Sequence, residues 1–231
     1  FIAVLAVGSS SPLDSINDRS SWSNRLKLEI ARALEDYPDL KSADSKEERV
    51  AQCHGSDATM AGYACLLLGE ELPDEEAAPV FRRGCELGNA QSCIYGAMLR
   101  EARYEEKLAG FARACELGNM HGCLFLALRR EAKKYRLEEL RKGNDQRLSD
   151  ENRALLKRAC DADIAEACAW LGTYFSVDDD NLEGALSLWQ KACKIGLRDA
   201  CLLYENNATE EGLGVPENFF PWGKRQPSKG N

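Results

Sequence analysis

Four times along this chain a cysteine is followed by seven residues and a second cysteine: Cys85–Cys93 (CELGNAQSC), Cys115–Cys123 (CELGNMHGC), Cys160–Cys168 (CDADIAEAC) and Cys193–Cys201 (CKIGLRDAC). A stretched version with eleven intervening residues runs from Cys53 to Cys65, and the five frames together use all ten cysteines. Residues eight apart on one continuous helix stand ~12 Å apart at ~1.5 Å per residue. A disulfide needs Cα atoms within about 7 Å, so a chain that brings these cysteines together must reverse between them. The intervening residues suit a reversal, because Gly88, Gly118 and Gly196 sit three past the first cysteine, where a helix ending in a left-handed residue favours glycine. Asp163 takes that place in the remaining copy.

The flanks repeat as well. A bulky apolar residue stands four before each first cysteine (Phe81, Phe111, Leu156, Trp189), a small residue directly before it (Gly84, Ala114, Ala159, Ala192), and a basic residue before that. A new apolar run follows each second cysteine: Ile94-Tyr95, Leu124-Phe125, Ala169-Trp170-Leu171 and Leu202-Leu203-Tyr204. The unit reads as helix, tight turn, helix. If each pair is bridged, closing a nine-residue loop contributes roughly 2–3 kcal/mol. Two other readings of the cysteines stand beside the bridge. They could be small buried hydrophobes at helix junctions, against which five pairs with no cysteine left over is an argument. They could be zinc ligands, although structural zinc ligands usually lie two to four residues apart within a pair. His54 and His121, the only histidines, read as helix-terminus residues, and no metal or other cofactor is expected.

With its ELGN-type turn between paired cysteines, the repeat resembles the Sel-one-like repeat, a branch of the tetratricopeptide-like helix-pair solenoids. CELGNAQSC and CELGNMHGC are similar in particular to the Helicobacter cysteine-rich proteins. The resemblance covers about residues 45–205. It implies an all-α fold, a right-handed α/α solenoid of stacked helix pairs, with disulfides Cys53–Cys65, Cys85–Cys93, Cys115–Cys123, Cys160–Cys168 and Cys193–Cys201 joining neighbouring helices. The chain departs from the pattern in its irregular first turn, in lacking most of the usual glycine-rich loop between the helices of a repeat, and in an insertion in the third repeat.

The repeat period overrides the one or two globular domains that 231 residues would suggest and indicates one continuous solenoid over 45–211. Ten cysteines, if bridged, point to an oxidising compartment, the periplasm or the secreted space. A net charge of −8 argues against nucleic acid as a partner. Residues 1–20 read as the end of a signal-peptide apolar region (FIAVLAV) and a linker. If retained, that apolar run would want a cover, such as a membrane complex. Residues 21–44 carry a capping helix from Trp22 to Tyr37, stopped by Pro38. Helices are then expected from about 45 to 53 and over 60–72, followed by the pairs 75–87 with 90–103, 105–117 with 120–142, 150–161 with 164–176, and 182–195 with 198–210. Pro79 stands near the first turns of its helix, where proline costs least. Asp178-Asp179-Asp180 reads as a turn and cap, without a calcium-loop pattern. Asn207-Ala208-Thr209 is a glycosylation sequon of consequence only in a eukaryotic secretory setting. Residues 212–231 read as an extended tail whose Phe219, Phe220 and Trp222 are expected either to cap the last repeat or to plug into a partner.

Enzyme signatures are poor: there is no glycine-rich phosphate loop after a strand, and no nucleophile–base constellation that a spacing argument supports. Glu70-Glu71 and Glu75-Glu76 flank a turn and read as helix-end charges. Stacked helix pairs create an extended concave surface. The expectation is therefore a non-catalytic scaffold that binds a protein partner there, on the first helix of each pair. Tyr95, Met98, Arg100, Phe125, Arg129, Tyr174 and Tyr204 are the candidate contacts, although a stripe of this type more often forms inter-repeat core. The insertion from Arg129 to Asp150 reads as a solvated helix with ion pairs, or as a docking arm presenting Arg129, Arg130, Lys133, Lys134 and Arg136 to an acidic partner. The resemblance also implies two alternatives: penicillin binding with weak β-lactam hydrolysis, or an assembly factor of the mitochondrial intermembrane space.

Overall fold

In the computed structural model of the chain, the described residues are 35, 37, 40, 45–141, 148–177 and 181–210, with side chains left undescribed at 132–141, 177 and 210. The expected capping helix apart from residues 35 and 37, the N-terminal apolar run, residues 142–147 of the insertion, the Asp178–Asp180 triplet and the aromatic tail lie outside them. Ten helices are described: α1 (Lys46–Cys53), α2 (Ala58–Glu71), α3 (Asp74–Glu86), α4 (Ala90–Met98), α5 (Tyr104–Glu116), α6 (Met120–Arg141), α7 (Asp150–Asp161), α8 (Ala165–Val177), α9 (Leu182–Ile195) and α10 (Arg198–Glu210). No strand occurs among the described residues. The chain forms two compact units that divide between Phe125 and Leu126. Within each unit, helices pack against their neighbours in sequence order, the arrangement of an all-α helix-pair solenoid.

Short polar residues start the helices. Ser45 Oγ accepts from Glu48 N, Asp57 Oδ1 from Thr59 N and Met60 N, Asn89 Oδ1 from Ser92 N, Ser149 Oγ from Asn152 N, and Asn181 Oδ1 from Gly184 N. Each supplies an acceptor to first-turn amides that have no partner within the helix. At α5 the arrangement differs, because Arg103 N donates to Glu106 Oε2 while the Arg103 guanidinium holds Glu106 Oε1. That contact keeps the Glu106 carboxyl below its ordinary range and the Arg103 guanidinium above its own. One boundary departs from expectation: α4 ends at Met98, five residues before 103, because Leu99 turns extended and Ala102 N bonds Leu99 O. Leu99 is buried among Phe81 and Tyr95, so the chain must bend there to reach α5. Pro79 is the sixth residue of α3, past its first turn, and the helix carries it.

A size rule runs between successive repeats. Four residues after each second cysteine comes a small residue (Gly69, Ala97, Ala127, Gly172), and four before the next first cysteine comes the bulky one. In unit 1 a Cβ on Gly69 would stand 2.5 Å from the Phe81 ring, and in unit 2 one on Gly172 would stand 2.9 Å from the Trp189 ring. The missing side chain is the seat for the aromatic ring. Phe81 then joins Leu66, Ala77 and Tyr95 in one core cluster, and Trp189 joins Ala185, Leu186 and Ala208 in another.

Candidate functional site

The repeated structural site is the stapled turn. Gly88, Gly118 and Gly196 have φ of 91°, 90° and 119°, and Asp163 has φ of 60°. Each turn closes with two backbone bonds of one pattern. The amide of the left-handed residue donates to the first cysteine's carbonyl (Gly88 to Cys85, 3.0 Å; Gly118 to Cys115, 3.2 Å; Asp163 to Cys160, 3.0 Å; Gly196 to Cys193, 2.9 Å). The next amide donates to the carbonyl of the small residue before that cysteine (Asn89 to Gly84, Asn119 to Ala114, Ile164 to Ala159, Leu197 to Ala192). Close helix approach explains the small residue, since a Cβ on Gly84 would meet Ser92 Oγ at 2.4 Å. The reversal brings the two cysteines face to face, and all five pairs are bridged: Cα separations are 4.6 Å for Cys53–Cys65, Cys85–Cys93 and Cys160–Cys168, and 4.7 Å for Cys115–Cys123 and Cys193–Cys201. No cysteine is free. Five disulfides assign the folded chain to an oxidising, extracellular-type compartment.

The basic residue two before the first cysteine links one repeat to the last. Arg83 Nε donates to Cys53 O at 3.0 Å, and Lys191 Nζ donates to Cys160 O at 2.7 Å while pairing with Asp163 Oδ1 at 3.1 Å. In both cases the acceptor is a carbonyl at the C-terminal end of the preceding first helix, where positive charge is favoured. Arg113, in the same register, pairs instead with Glu116 on its own helix. The sequence carried the signal, a basic residue at fixed offset, without its purpose. Nothing in the spacing announced the side-chain link from Asn119 Nδ2 to Gln91 Oε1 at 2.9 Å.

The candidate contact residues divide by burial, and those on described helices all follow a second cysteine, so they stand on second helices and not, as expected, on first helices. Tyr95, Phe125 and Tyr174 are buried, which removes them from any partner surface. Tyr95 lies against Phe81 with ring centroids 5.7 Å apart, Phe125 against Phe111 at 5.3 Å, and Tyr174 against Trp170 at 6.2 Å. The physical reason is that α4 packs on both α3 and α5, and α8 on both α7 and α9, so a second helix buries two faces. Arg100 is exposed, and Met98, Arg129 and Tyr204 are half-buried. Tyr204 packs beside the Cys193–Cys201 bridge. Phe219, Phe220 and Trp222 lie outside the described residues.

At the base of the insertion, Arg130 Nη1 pairs with Glu151 Oε1 at 2.5 Å, and the buried Asn152 Nδ2 donates to the buried Glu131 Oε1 at 2.5 Å. These contacts pin α6 to α7. Lys133, Lys134 and Arg136 stand farther along α6, where side chains are not described. The sequon lies on α10, with Ala208 buried, Asn207 Nδ2 donating to Leu203 O and Thr209 Oγ1 to Glu205 O. Neither histidine belongs to a metal-holding group: among the described residues no three His, Cys, Asp or Glu side chains are placed to share an ion. No helix among them is long and apolar enough to cross a membrane.

No family model matches the chain, and no curated protein matches it significantly.

Proposed function

We propose that the chain is a non-catalytic protein-binding scaffold of the cell envelope or secreted space. One observation carries this reading: all ten cysteines are used to fix helix-to-helix turns. Bridges of this kind hold helix pairs in place outside the reducing cytosol, and rigid helix pairs present side chains to a partner with little ordering cost on binding. The similarity of the CELGN turns to Sel-one-like repeats supports the same reading. Burial leaves Met98, Arg100, Arg129 and Tyr204 as the partner-facing members of the candidate set.

The test is site-specific photocross-linking in the native host, with a photoreactive residue at Arg100 or Arg129 and a control at the exposed Lys194 on the stapled edge. The expected result is one protein captured from both test positions and absent from the control. Absence of any captured protein at Arg100 and Arg129, or turnover of a chromogenic β-lactam by the purified chain, overturns the proposal. Fractionation of the same cells should place the chain in the periplasm or culture medium.

A further inference from the structure

The five bridges differ in what lies against them. Cys53, Cys115, Cys160 and Cys193 are 1%, 3%, 2% and 0% exposed, and a long side chain is brought to each of these turns. Arg83 and Lys191 reach the carbonyls of Cys53 and Cys160, Tyr204 packs beside Cys193–Cys201, and Met120 Sδ stands 3.9 Å from Cys123 Sγ. A disulfide sulfur carries no proton, so the last contact is sulfur packed on sulfur. Cys85 is half-buried, alone among the ten cysteines.

Two near-identical turns isolate the cause, CELGNAQSC at Cys85–Cys93 and CELGNMHGC at Cys115–Cys123. They share the left-handed glycine, with φ of 91° and 90°, and the same pair of closing backbone bonds. Among their three differences is Met120 in place of Ala90, and Met120 supplies the thioether that lies on the second bridge. The first bridge has only a methyl group at that position. The cationic clamp is turned away there as well: Arg113, in register to reach Cys85 O, pairs with Glu116 at 3.2 Å. Cys93 is 2% exposed, so a reagent approaching this bridge meets Cys85 first.

We propose that Cys85–Cys93 is the chain's thiol-exchange site, at which a small aliphatic thiol of the glutathione class adds to Cys85. The incoming thiolate attacks Cys85 Sγ in line with the S–S bond. A new S–S bond forms between the thiol and Cys85, the Cys85–Cys93 bond breaks, and its electron pair leaves on Cys93, which takes a proton from water. No further oxidant or reductant is consumed. The reversal does not rest on the broken bond alone. Gly88 N on Cys85 O, Asn89 N on Gly84 O and Ser92 N on Asn89 Oδ1 hold the turn, and Phe81 stays against Tyr95. Exchange therefore proceeds on the folded chain, with the other four bridges closed.

The experiment incubates the full-length oxidised chain with reduced glutathione at neutral pH, quenches with acid, and locates the mixed disulfide by non-reduced peptide mapping. Cys85 should be modified about tenfold or more faster than any other cysteine. Ala90→Met should slow that reaction about tenfold, and Met120→Ala should speed modification at Cys115–Cys123 by about as much. Each variant gives one turn the residue that its sister turn already carries, and far-UV circular dichroism checks that both are folded. Met120→Ala, with alanine already in this place at Ala90 and Ala165, keeps the test decisive if Ala90→Met does not fold. Modification appearing first at another bridge, or on Cys93, overturns the proposal. So does an order of modification that both variants leave unchanged, or a rate at Cys85 that rises with urea in step with global unfolding.

Discussion

Replacing Gly88 by alanine isolates the backbone cost of the stapled turn. A Cβ at Gly88 meets nothing within 4 Å, so no steric clash with neighbours enters. What remains is the left-handed conformation, with φ of 91°, which costs an L-residue roughly 1–2 kcal/mol. The turn cannot easily escape that cost by fraying, because the Cys85–Cys93 bridge closes across it. Gly88→Ala should therefore destabilise the oxidised chain by about 1–2 kcal/mol. Gly88→Asn should cost less than alanine, since asparagine tolerates the left-handed region. Asp163 makes the reciprocal case: its φ of 60° lies near the centre of that region. Asp163→Gly should be near neutral. Relief of the left-handed cost is offset by about 0.4–1 kcal/mol of unfolded-chain entropy and by loss of a mostly exposed ion pair with Lys191 worth about 0–1 kcal/mol. Urea unfolding followed by far-UV circular dichroism, with bridges intact, gives the global values, and hydrogen exchange across 85–93 gives the local one. The same cycle in a Cys85→Ser/Cys93→Ser background should show a smaller cost for Gly88→Ala. Equal stability of Gly88→Ala and wild type, or equal costs for alanine and asparagine, would refute the backbone argument.

Gly69→Ala should cost about 1–3 kcal/mol through overpacking against the Phe81 ring, and trimming the ring in Gly69→Ala/Phe81→Leu should recover part of it in the same urea assay. Arg83→Met removes the cation that satisfies Cys53 O. A loss of about 1.5–3 kcal/mol is expected, with faster amide exchange at the end of α1, and unchanged exchange there would show the bond to be dispensable. Cys85 is the one cysteine that is not fully buried, so timed phosphine reduction with alkylation should open Cys85–Cys93 first; earlier loss of Cys193–Cys201 would contradict this. Arg103 holds the Glu106 carboxyl below its ordinary range in the folded chain. The contact therefore favours folding above the ordinary glutamate range and is lost as pH falls through the lower folded value. Glu106→Gln should abolish that acid-side change in amide exchange across the first turn of α5, and an identical pH profile would rule the contact out as its source.

What could be read from the sequence depended on how far apart the interacting residues lie. The stapled turn is contained in nine residues, and cysteines, left-handed glycine, small residue and basic residue all recur at fixed offsets, so the local geometry was legible before any tertiary contact was known. Tyr95, Phe125 and Tyr174 take the inter-repeat core role, the other reading open to such a stripe, for a physical reason. On an isolated amphipathic helix, residues off the main apolar stripe face water, but a second helix in a stacked array has neighbours before and after it. Its aromatics therefore belong to two interfaces. The corrective signal was present at longer range, in the alternation of small residues at 69, 97, 127 and 172 with bulky ones at 81, 111, 156 and 189. That alternation says that each repeat is incomplete without the next, because the seat lies on one and the ring on the other.

The same logic separates stability from recognition in this chain. Each bridge closes a turn within its own repeat, whereas the ring-in-seat contacts and the Arg83 and Lys191 bonds join one repeat to its neighbour. Disulfides thus reduce the entropy of the unfolded chain locally, and the apolar seam with its cationic clamps sets how one repeat stacks on the next. A substitution in the seam should disturb both stability and the spacing of partner-facing residues, while loss of a single bridge should lower stability and leave that spacing intact. Phe81→Ala and Cys115→Ser/Cys123→Ser make the comparison. The first is expected to cost about 3–5 kcal/mol and to weaken capture through Arg100. The second should cost about 2–3 kcal/mol with capture retained at temperatures where the chain stays folded. Equal loss of capture in two variants that both remain folded would show that the bridges themselves hold the binding surface in register.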